Sequence, residues 1–368
     1  MKITISQEAL NNTLATVSKE VSTKNTIPVL AGIHLSARGN VLSLRATDME
    51  LAIESSVACQ VSAEGEVVLP SRILTDLVRR IPFGDIDLTV DYRNFTATVQ
   101  WGKSQYVIHG FPADQFPSLP DIANASAFAV NQPLLRDLLR QTAFAAGHDE
   151  TKPWLTGVFF KLSENRLTGT ATDGVRIAFA ETDADNPSGH TFSVIIPSRS
   201  LNELTRLLST EPEAVVQVAV TSNQAFFDLG KVTVISRLLE GQYPDVMRLV
   251  PQNYPTELSA NRSEFAEAIE RAALIAKDGA IKLRLEDERI TVTSNTPEVG
   301  HVYEEVPASK LTGEALDIGF NSKFLVDFLN VLHDPEFRLQ CSGSRNPARL
   351  QAVGNTRFVY VVLPLITY

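Results

Sequence analysis

A strand, a polar turn and a second strand recur three times along this chain. Leu42 to Ile53 reads LSLRATDMELAI, Leu167 to Phe179 reads LTGTATDGVRIAF, and Ile290 to Val302 reads ITVTSNTPEVGHV. Asp48 and Asp173 lie 125 residues apart, and Asn295, in the copy where Ser294-Asn295 replaces Thr-Asp, follows 122 residues later. A period this long means repeated domains instead of a solenoid of short units. Divided by three, 368 residues give about 123 per unit, within the usual size of a domain with its own core.

Each repeat begins strand then helix. Ser6 precedes apolar residues at Leu10, Leu14, Val17 and Val21; Asn131 precedes Leu135, Leu138, Leu139 and Ala146, with Pro133 in the first turn; Asn261 precedes Phe265, Ile269, Ala272 and Ala276. That is one helical face after a capping residue. Paired strands follow, expected at Val29 to Leu35 with Val41 to Thr47, Gly157 to Leu162 with Leu167 to Thr172, and Ile281 to Leu285 with Arg289 to Ser294. A second helix shows the closest triplication: VVLPSRILTDLVRRI, VIIPSRSLNELTRLL and IGFNSKFLVDFLNVL each carry a Ser or Asn expected as cap, then an i, i+3, i+4, i+7 stripe. Further strands close each unit, at Thr96 to Ile108, Ala225 to Leu238 and Arg349 to Leu363, and Pro117 to Pro120 and Pro251 to Pro255 are expected as linkers. The fold class is therefore α+β, with two helices packed on antiparallel sheets in each of three domains at 1–124, 125–252 and 253–368.

Composition excludes several classes. With 44% hydrophobic and 21% charged residues, neither disorder nor a fibre is suggested. No apolar run approaches the roughly 18 residues of a membrane span. The opening MKITISQEAL alternates like a strand and does not read as a signal peptide, so a cytoplasmic location is expected. Cys59 and Cys341 lie in different repeats without a metal-site spacing and are expected as core thiols. A net charge of −10 argues, taken alone, against a nucleic-acid partner.

The triplicated domain, the phrase ATDGVRIA in the middle repeat, EGQYPDV after it and the terminal VVLPLITY resemble the bacterial sliding clamp, the beta subunit of DNA polymerase III, over the whole chain. The resemblance implies the DNA clamp fold, half of a closed ring. Two three-domain protomers would join head to tail into a homodimer, with helices lining a hole through which duplex DNA passes without sequence specificity. Such a ring tethers the DNA-directed DNA polymerase of the replication holoenzyme to its template as a processivity factor. It implies no intrinsic catalysis, no cofactor, no metal and no membrane partner.

Charge distribution allows a test of that implication. The six helical segments together carry +3, so the rest of the chain carries −13 against a total of −10. Weak positive lining suits a tether that must slide, because phosphate contacts give affinity without base specificity. Candidate DNA-facing residues are Lys24, Arg72, Arg79, Arg136, Arg140, Lys152 and Trp154.

The resemblance also implies one apolar pocket per protomer that takes short peptide motifs of polymerases, the clamp loader and repair proteins. Carried over by position, it would use Leu155, Thr172, Gly174, Val175, Arg176 and Ile177, then Pro244, Arg248 and Leu249, and at the end Val362, Leu363, Pro364, Leu365 and Ile366. Aliphatic walls would take Leu or Phe side chains, with Arg176 orienting the peptide. Many relatives have His after the Asp-Gly turn where this chain has Val175, which makes that edge more apolar. The subunit interface would set the edge strand with Tyr106 and Ile108 against Leu274 and Ile275 of the partner, with Lys103 facing Glu304 and Glu305.

Two other readings stand beside this one. The run His148-Asp149-Glu150 and the residues His109, His190 and His301 could suggest an enzyme, yet none sits in a zinc, phosphate-loop or nucleophile context, and adjacent residues point in different directions. A monomeric three-domain protein that binds a peptide or ligand without encircling DNA is the other alternative.

Overall fold

The computed structural model describes residues 1–20, 27–118 and 126–365. Val21, Lys24 and Ile366 lie outside the described residues, as does Pro120 of the first expected linker.

Among the described residues the helical stripes form six helices: α1 (Gln7–Val17), α2 (Ser71–Arg80), α3 (Gln132–Ala143), α4 (Ser198–Leu207), α5 (Arg262–Ala273) and α6 (Ser322–Val331). The first helix of each repeat is capped as its sequence predicts. Ser6 Oγ accepts from Ala9 N at 3.3 Å, Asn131 Oδ1 from Leu134 N at 3.2 Å, and Asn261 Oδ1 from Ser263 N and Glu264 N at 2.9 and 3.1 Å. The second helices differ from expectation. Ser71 and Ser198 are already helical, and the cap positions belong to Pro70 and Pro197, which make no side-chain bond. Proline's restricted φ, −56° and −53° here, carries the strand straight into the helix, and Ser198 Oγ donates instead to Thr156 O at 2.7 Å. Only α6 keeps the expected device, Asn321 Oδ1 accepting from Lys323 N at 3.0 Å. Val29 and Leu30, expected in a strand, sit in a short 3-10 turn over Pro28–Ala31, because Pro28 lacks the N–H that a ladder requires.

Among the described residues the alternating segments form four sheets. The first is ordered β5 (Gln60–Ala63), β1 (Lys2–Ser6), β7 (Asp85–Asp91), β8 (Thr96–Trp101), β9 (Ser104–His109). The second is ordered β10 (Ser126–Asn131), β15 (Val215–Val220), β16 (Gln224–Asp228), β17 (Val232–Arg237), β4 (Leu51–Ala58), β3 (Val41–Thr47), β2 (Gly32–Arg38), β6 (Gly65–Pro70). The third is ordered β14 (Phe192–Pro197), β11 (Gly157–Ser163), β12 (Arg166–Thr172), β13 (Arg176–Asp183), β25 (Phe358–Val362), β24 (Ala348–Ala352), β23 (Glu336–Cys341), β18 (Thr256–Asn261). The fourth is ordered β21 (Gly300–Pro307), β20 (Arg289–Thr296), β19 (Ala280–Glu286), β22 (Leu316–Asn321).

Two of these sheets run across the boundaries between repeats. β4 pairs antiparallel with β17, Leu51 opposite Ser236, and β13 pairs with β25, Arg176 opposite Val362. The chain therefore packs as two compact units, Met1–Ala129 with Val215–Leu238, and Val130–Ala214 with Leu239–Tyr368, where the repeat pattern alone suggests three. In the first unit α1 packs on β3 and β4 and against α2. In the second, α3 lies on β12 and β13, and α6 buries Phe328 against Phe358 and Tyr360, with ring centroids 5.5 and 5.4 Å away. Such aromatic pairs contribute about 0.5–1.5 kcal/mol each beyond their buried area, and they seat β25 beside β13.

The thiols separate. Cys341 is fully buried in β23, and desolvation pushes its pKa up to about 12, whereas Cys59 is half-buried. The expectation that both are core residues fails for Cys59. A thiol reagent at pH 8 is expected to modify Cys59 alone in the native protein and both thiols after denaturation; modification of Cys341 without unfolding would contradict this burial.

Candidate functional site

The middle copy of the repeated stretch is a tight side-chain-built turn. Thr172 Oγ1 donates to Arg176 O at 2.6 Å and accepts from Gly174 N at 3.0 Å; Asp173 Oδ1 accepts from Val175 N and Arg176 N at 2.9 and 3.0 Å. Gly174 sits at φ +94°, a region that residues with a Cβ rarely enter. Asp173 is thus turn chemistry, as its sequence context predicts. Asp149 of the His-Asp-Glu run serves the same purpose, accepting from Thr151 N and Oγ1 at 2.9 and 2.7 Å.

Beside this turn lies a cavity of about 260 Å³ with predominantly aliphatic walls. Of the residues expected there, Leu155, Thr172, Gly174, Val175, Arg176, Ile177, Pro244, Leu249 and Leu363 line it. Val246, Pro347 and Val361 line it as well and were not expected. Ile177, Val246 and Val361 form its floor with Val250, Val359 and Met247 packed around them, while Val175, Leu249 and Leu363 stand exposed at the rim. Trp154, next to the lining residue Leu155, packs on Gly241, whose φ of +131° is a conformation that favours glycine.

Four expected residues are not in the lining. Val362 alternates with Val361 along β25, so its side chain is fully buried on the opposite face. Arg248 points to solvent and pairs with Asp245 at 2.6 Å. Pro364 and Leu365 leave the cavity, because Leu365 N donates to Gly319 O at 2.8 Å and adds a bridge to β22.

Arg176 lines the cavity, yet its charge is used inside the protein. The side chain is 5% exposed; Nε donates to Asp173 Oδ2 at 2.9 Å, Nη1 to Asp327 Oδ2 at 2.7 Å and Nη2 to Phe144 O at 2.8 Å. The guanidinium also lies over the rings of Phe324 and Phe144, 4.5 and 5.5 Å from their centroids. Lys323 Nζ donates to the same Asp327 oxygen at 2.7 Å. Burial opposes its charge, but the bond to Asp327 and the neighbouring Asp173 outweigh it, so its pKa is raised. The expectation that Arg176 orients a ligand is replaced: it ties the turn to α6 and to the end of α3.

The remaining basic candidates fall on two helices and one turn. Arg72 and Arg79 are exposed on α2, Arg79 bonded to Asp76 at 2.7 Å. Arg140 is exposed on α3 and Arg136 half-buried one turn before it; Lys152 is exposed and Trp154 half-buried beside the cavity. Arg80 on α2 and Arg206 on α4 are equally exposed, and the same helical spacing adds them to these candidates.

β9 and β21 are the outermost strands of their sheets. On β9, Tyr106 is exposed and stacks on Trp101 at 5.4 Å, and Val107 is exposed, but Ile108 is 5% exposed and faces its own core. Ile108 can therefore offer a neighbour its backbone and not its side chain. Leu274 after α5 is 82% exposed and Ile275 half-buried. Lys103 is exposed, whereas Glu304 already accepts two bonds from Arg271, at 2.8 and 3.0 Å, and Glu305 pairs with Arg289 at 3.5 Å.

Comparison with known proteins places this architecture. Residues 1–120, 129–245 and 247–366 match, in turn, the N-terminal, central and C-terminal domains of the DNA polymerase III beta subunit. The chain is 35% identical over 380 residues to the beta sliding clamp of Bacillus subtilis, covering all of both proteins. The solved DNA polymerase sliding clamp of Bacillus subtilis superposes with a TM-score of 0.96 at 34% identity, and the DNA polymerase III subunit beta of Pseudomonas aeruginosa with 0.93 at 31%, each over 99% or more of both chains. With three clamp domains in sequence, full-length relatives that are clamps and an apolar cavity beside the one Asp-Gly copy of the turn, the chain belongs to the DNA polymerase III beta-subunit family, the bacterial sliding clamps.

Proposed function

We propose that two copies of this chain close into a ring around duplex DNA and that the cavity beside Thr172–Ile177 docks peptide segments of DNA polymerases, the clamp loader and repair proteins. The protein works in the cytoplasm as a non-catalytic processivity factor. Its three domains divide at 124/125 and 252/253, where the family matches change over between 120 and 129 and between 245 and 247. Contacts to phosphate come from weakly basic helices, among them Arg72, Arg79, Arg136 and Arg140, and from Lys152 in the turn before β11; Lys24 is a candidate by sequence alone. The docked peptide meets predominantly aliphatic walls, and Val175 makes one edge more apolar than the His of many relatives.

The observation that carries the dimer is the pair of unpaired outer strands β9 and β21. At both boundaries within the chain, the strand after the repeated turn pairs with the strand that closes the next repeat. β21 is the strand after the third turn and β9 the strand that closes the first repeat, so each lacks the partner its counterparts have. Exposed edges of this kind invite pairing with another chain.

The internal ladders also predict the register. Val57, Thr182 and Val306 face the aligned residues Leu42, Leu167 and Ile290, which makes Gly300 the counterpart of Leu51 and Arg176. Gly102-Lys103 and Gly230-Lys231 align β9 with β17 and make Ile108 the counterpart of Ser236. Gly300 should then face Ile108 of the second copy, His301 its Val107 and Val302 its Tyr106. In a Cys59→Ser background, Val107→Cys with His301→Cys is expected to give on oxidation a covalent species of twice 40.3 kDa. Val107→Cys with Val302→Cys places the thiols on opposite faces and should not cross-link. Equal yields from the two pairs, or none from the first, would refute this interface.

A further inference from the structure

We infer that the chain carries a second docking pocket, at the junction of β4 and β17, which takes an acidic residue of a partner peptide. The first repeat builds its turn from the same bonds as the second. Thr47 Oγ1 donates to Leu51 O at 2.9 Å and accepts from Met49 N at 3.0 Å, and Asp48 Oδ1 accepts from Glu50 N and Leu51 N at 3.0 and 2.9 Å. Met49 even holds the left-handed conformation of Gly174, at φ +81°. Beside this turn is a cavity of about 100 Å³.

Much of its lining stands at positions equivalent to those of the larger cavity, with Arg45 added, whose counterpart Thr170 does not line that cavity. Glu50 takes the place of Val175, Ala52 of Ile177, Ile235 of Val361, and Arg237 of Leu363. The tails after the two repeats correspond as well: Phe116 stacks on His34 at 5.4 Å as Tyr243 stacks on Phe159 at 5.1 Å, and the prolines that follow, Pro117 and Pro244, line the two cavities. The site is therefore the same construction with different chemistry.

That chemistry is cationic. Arg45 lies over the Phe116 ring, 5.4 Å from its centroid, and its Nε has no hydrogen-bond partner, in contrast to Arg176, whose three guanidinium nitrogens are all engaged. Arg237 stands exposed at the edge. Against these two cations the lining holds one carboxylate, Glu50, at the exposed mouth; Glu54, opposite Arg45 across the ladder, is outside it. A peptide carboxylate can take two parallel bonds from a guanidinium. The smaller volume admits one short side chain, and Met49, 52% exposed, with Ala52 and Ile235 gives an apolar shoulder for the residue beside it. An extended segment with an Asp between aliphatic residues fits this combination.

The chain contains three methionines, and they report separately: Met49 lines the small cavity, Met247 packs under the large one, and Met1 is buried elsewhere in the first unit. Full-length protein labelled at the methionine methyls would be titrated with acetyl-Leu-Asp-Leu-amide and, separately, with acetyl-Leu-Asn-Leu-amide. The Asp peptide is expected to shift Met49 saturably and the Asn peptide to leave it in place, with Met1 unmoved by both. Arg45→Gln should weaken the response about tenfold or more. Arg237→Gln is the second variant should Arg45→Gln disturb folding, as the Met1 and Met247 signals would reveal. Equal response to both peptides, a shift of Met247 alone, a full response in both variants, or the same Met49 shift from inorganic phosphate at equal concentration would each overturn the proposal, the last by reducing the pocket to an anion site.

Discussion

Replacing Arg176 with methionine is expected to lower the stability of the second unit by about 3 kcal/mol, the low end for a broken buried pair, because it leaves Asp173 partly buried without its cation and Asp327 with Lys323 alone. The aliphatic stem and much of the volume survive the change, so the loss reads out the charge and its bonds. Arg176→Lys should recover only part of it, since one ammonium cannot reach Asp173, Asp327 and the Phe144 carbonyl in the fork geometry that holds all three at 2.7–2.9 Å. Combining Arg176→Met with Asp173→Asn and Asp327→Asn should cost less than the single change, because no unpaired carboxylate then remains and the amide oxygen at position 173 still accepts the turn bonds from Val175 N and Arg176 N. Urea denaturation, followed through a probe in each unit, measures all three. A loss below about 1 kcal/mol for Arg176→Met would class the cluster with ordinary surface ion pairs and contradict its role as the tie between turn and helix.

Leu363→Asp should weaken peptide docking about 30-fold while leaving the fold and the dimer intact. Leu363 is 41% exposed at the cavity rim, so a carboxylate there meets water and does not disrupt the core. A docked aliphatic side chain, however, would have to desolvate it against Val175 and Ile177. Stranding a carboxylate against a docked apolar side chain in this way costs about 2 kcal/mol, which is about a 30-fold loss in affinity. Fluorescence anisotropy of a labelled peptide from the docking segment of the cognate replicative polymerase reads this directly. Unchanged affinity would remove the cavity from the account.

The two sites differ in how far their chemistry could be read from the chain. The turn Thr172–Ile177 was legible because its geometry is local: Thr and Asp bond backbone groups two to four residues away, and glycine marks the positive φ. The helices were legible for the same reason, by spacing and by the caps Ser6, Asn131 and Asn261. What could not be read are the pairings between distant segments. Asp327 lies 151 residues from Arg176 and carries no local sign of the bond, so Arg176 passed for a ligand-orienting residue. Val361 read as an ordinary core strand residue, and only β25 pairing with β13 brings it to the cavity while turning Val362 away. Pro347 sits in a loop without any pattern. The division into two compact units has the same origin, since alternation defines each strand and not its neighbour.

The repeats nevertheless supply information that a single domain would not. Because β4 with β17 and β13 with β25 are two instances of one junction, they predict the register of a third, between β21 and β9 of a second copy, and they locate the small cationic counterpart of the apolar cavity.

The central claim is topological, that the ring holds DNA by encircling it and not by affinity for phosphate. Clamp assembled by its cognate loader on nicked circular duplex should remain bound through gel filtration at moderate salt and leave within the same interval once a restriction enzyme linearises the circle. Loss at the same rate from circle and linear duplex would mean that surface charge alone holds the protein, and the encircling mechanism would be wrong.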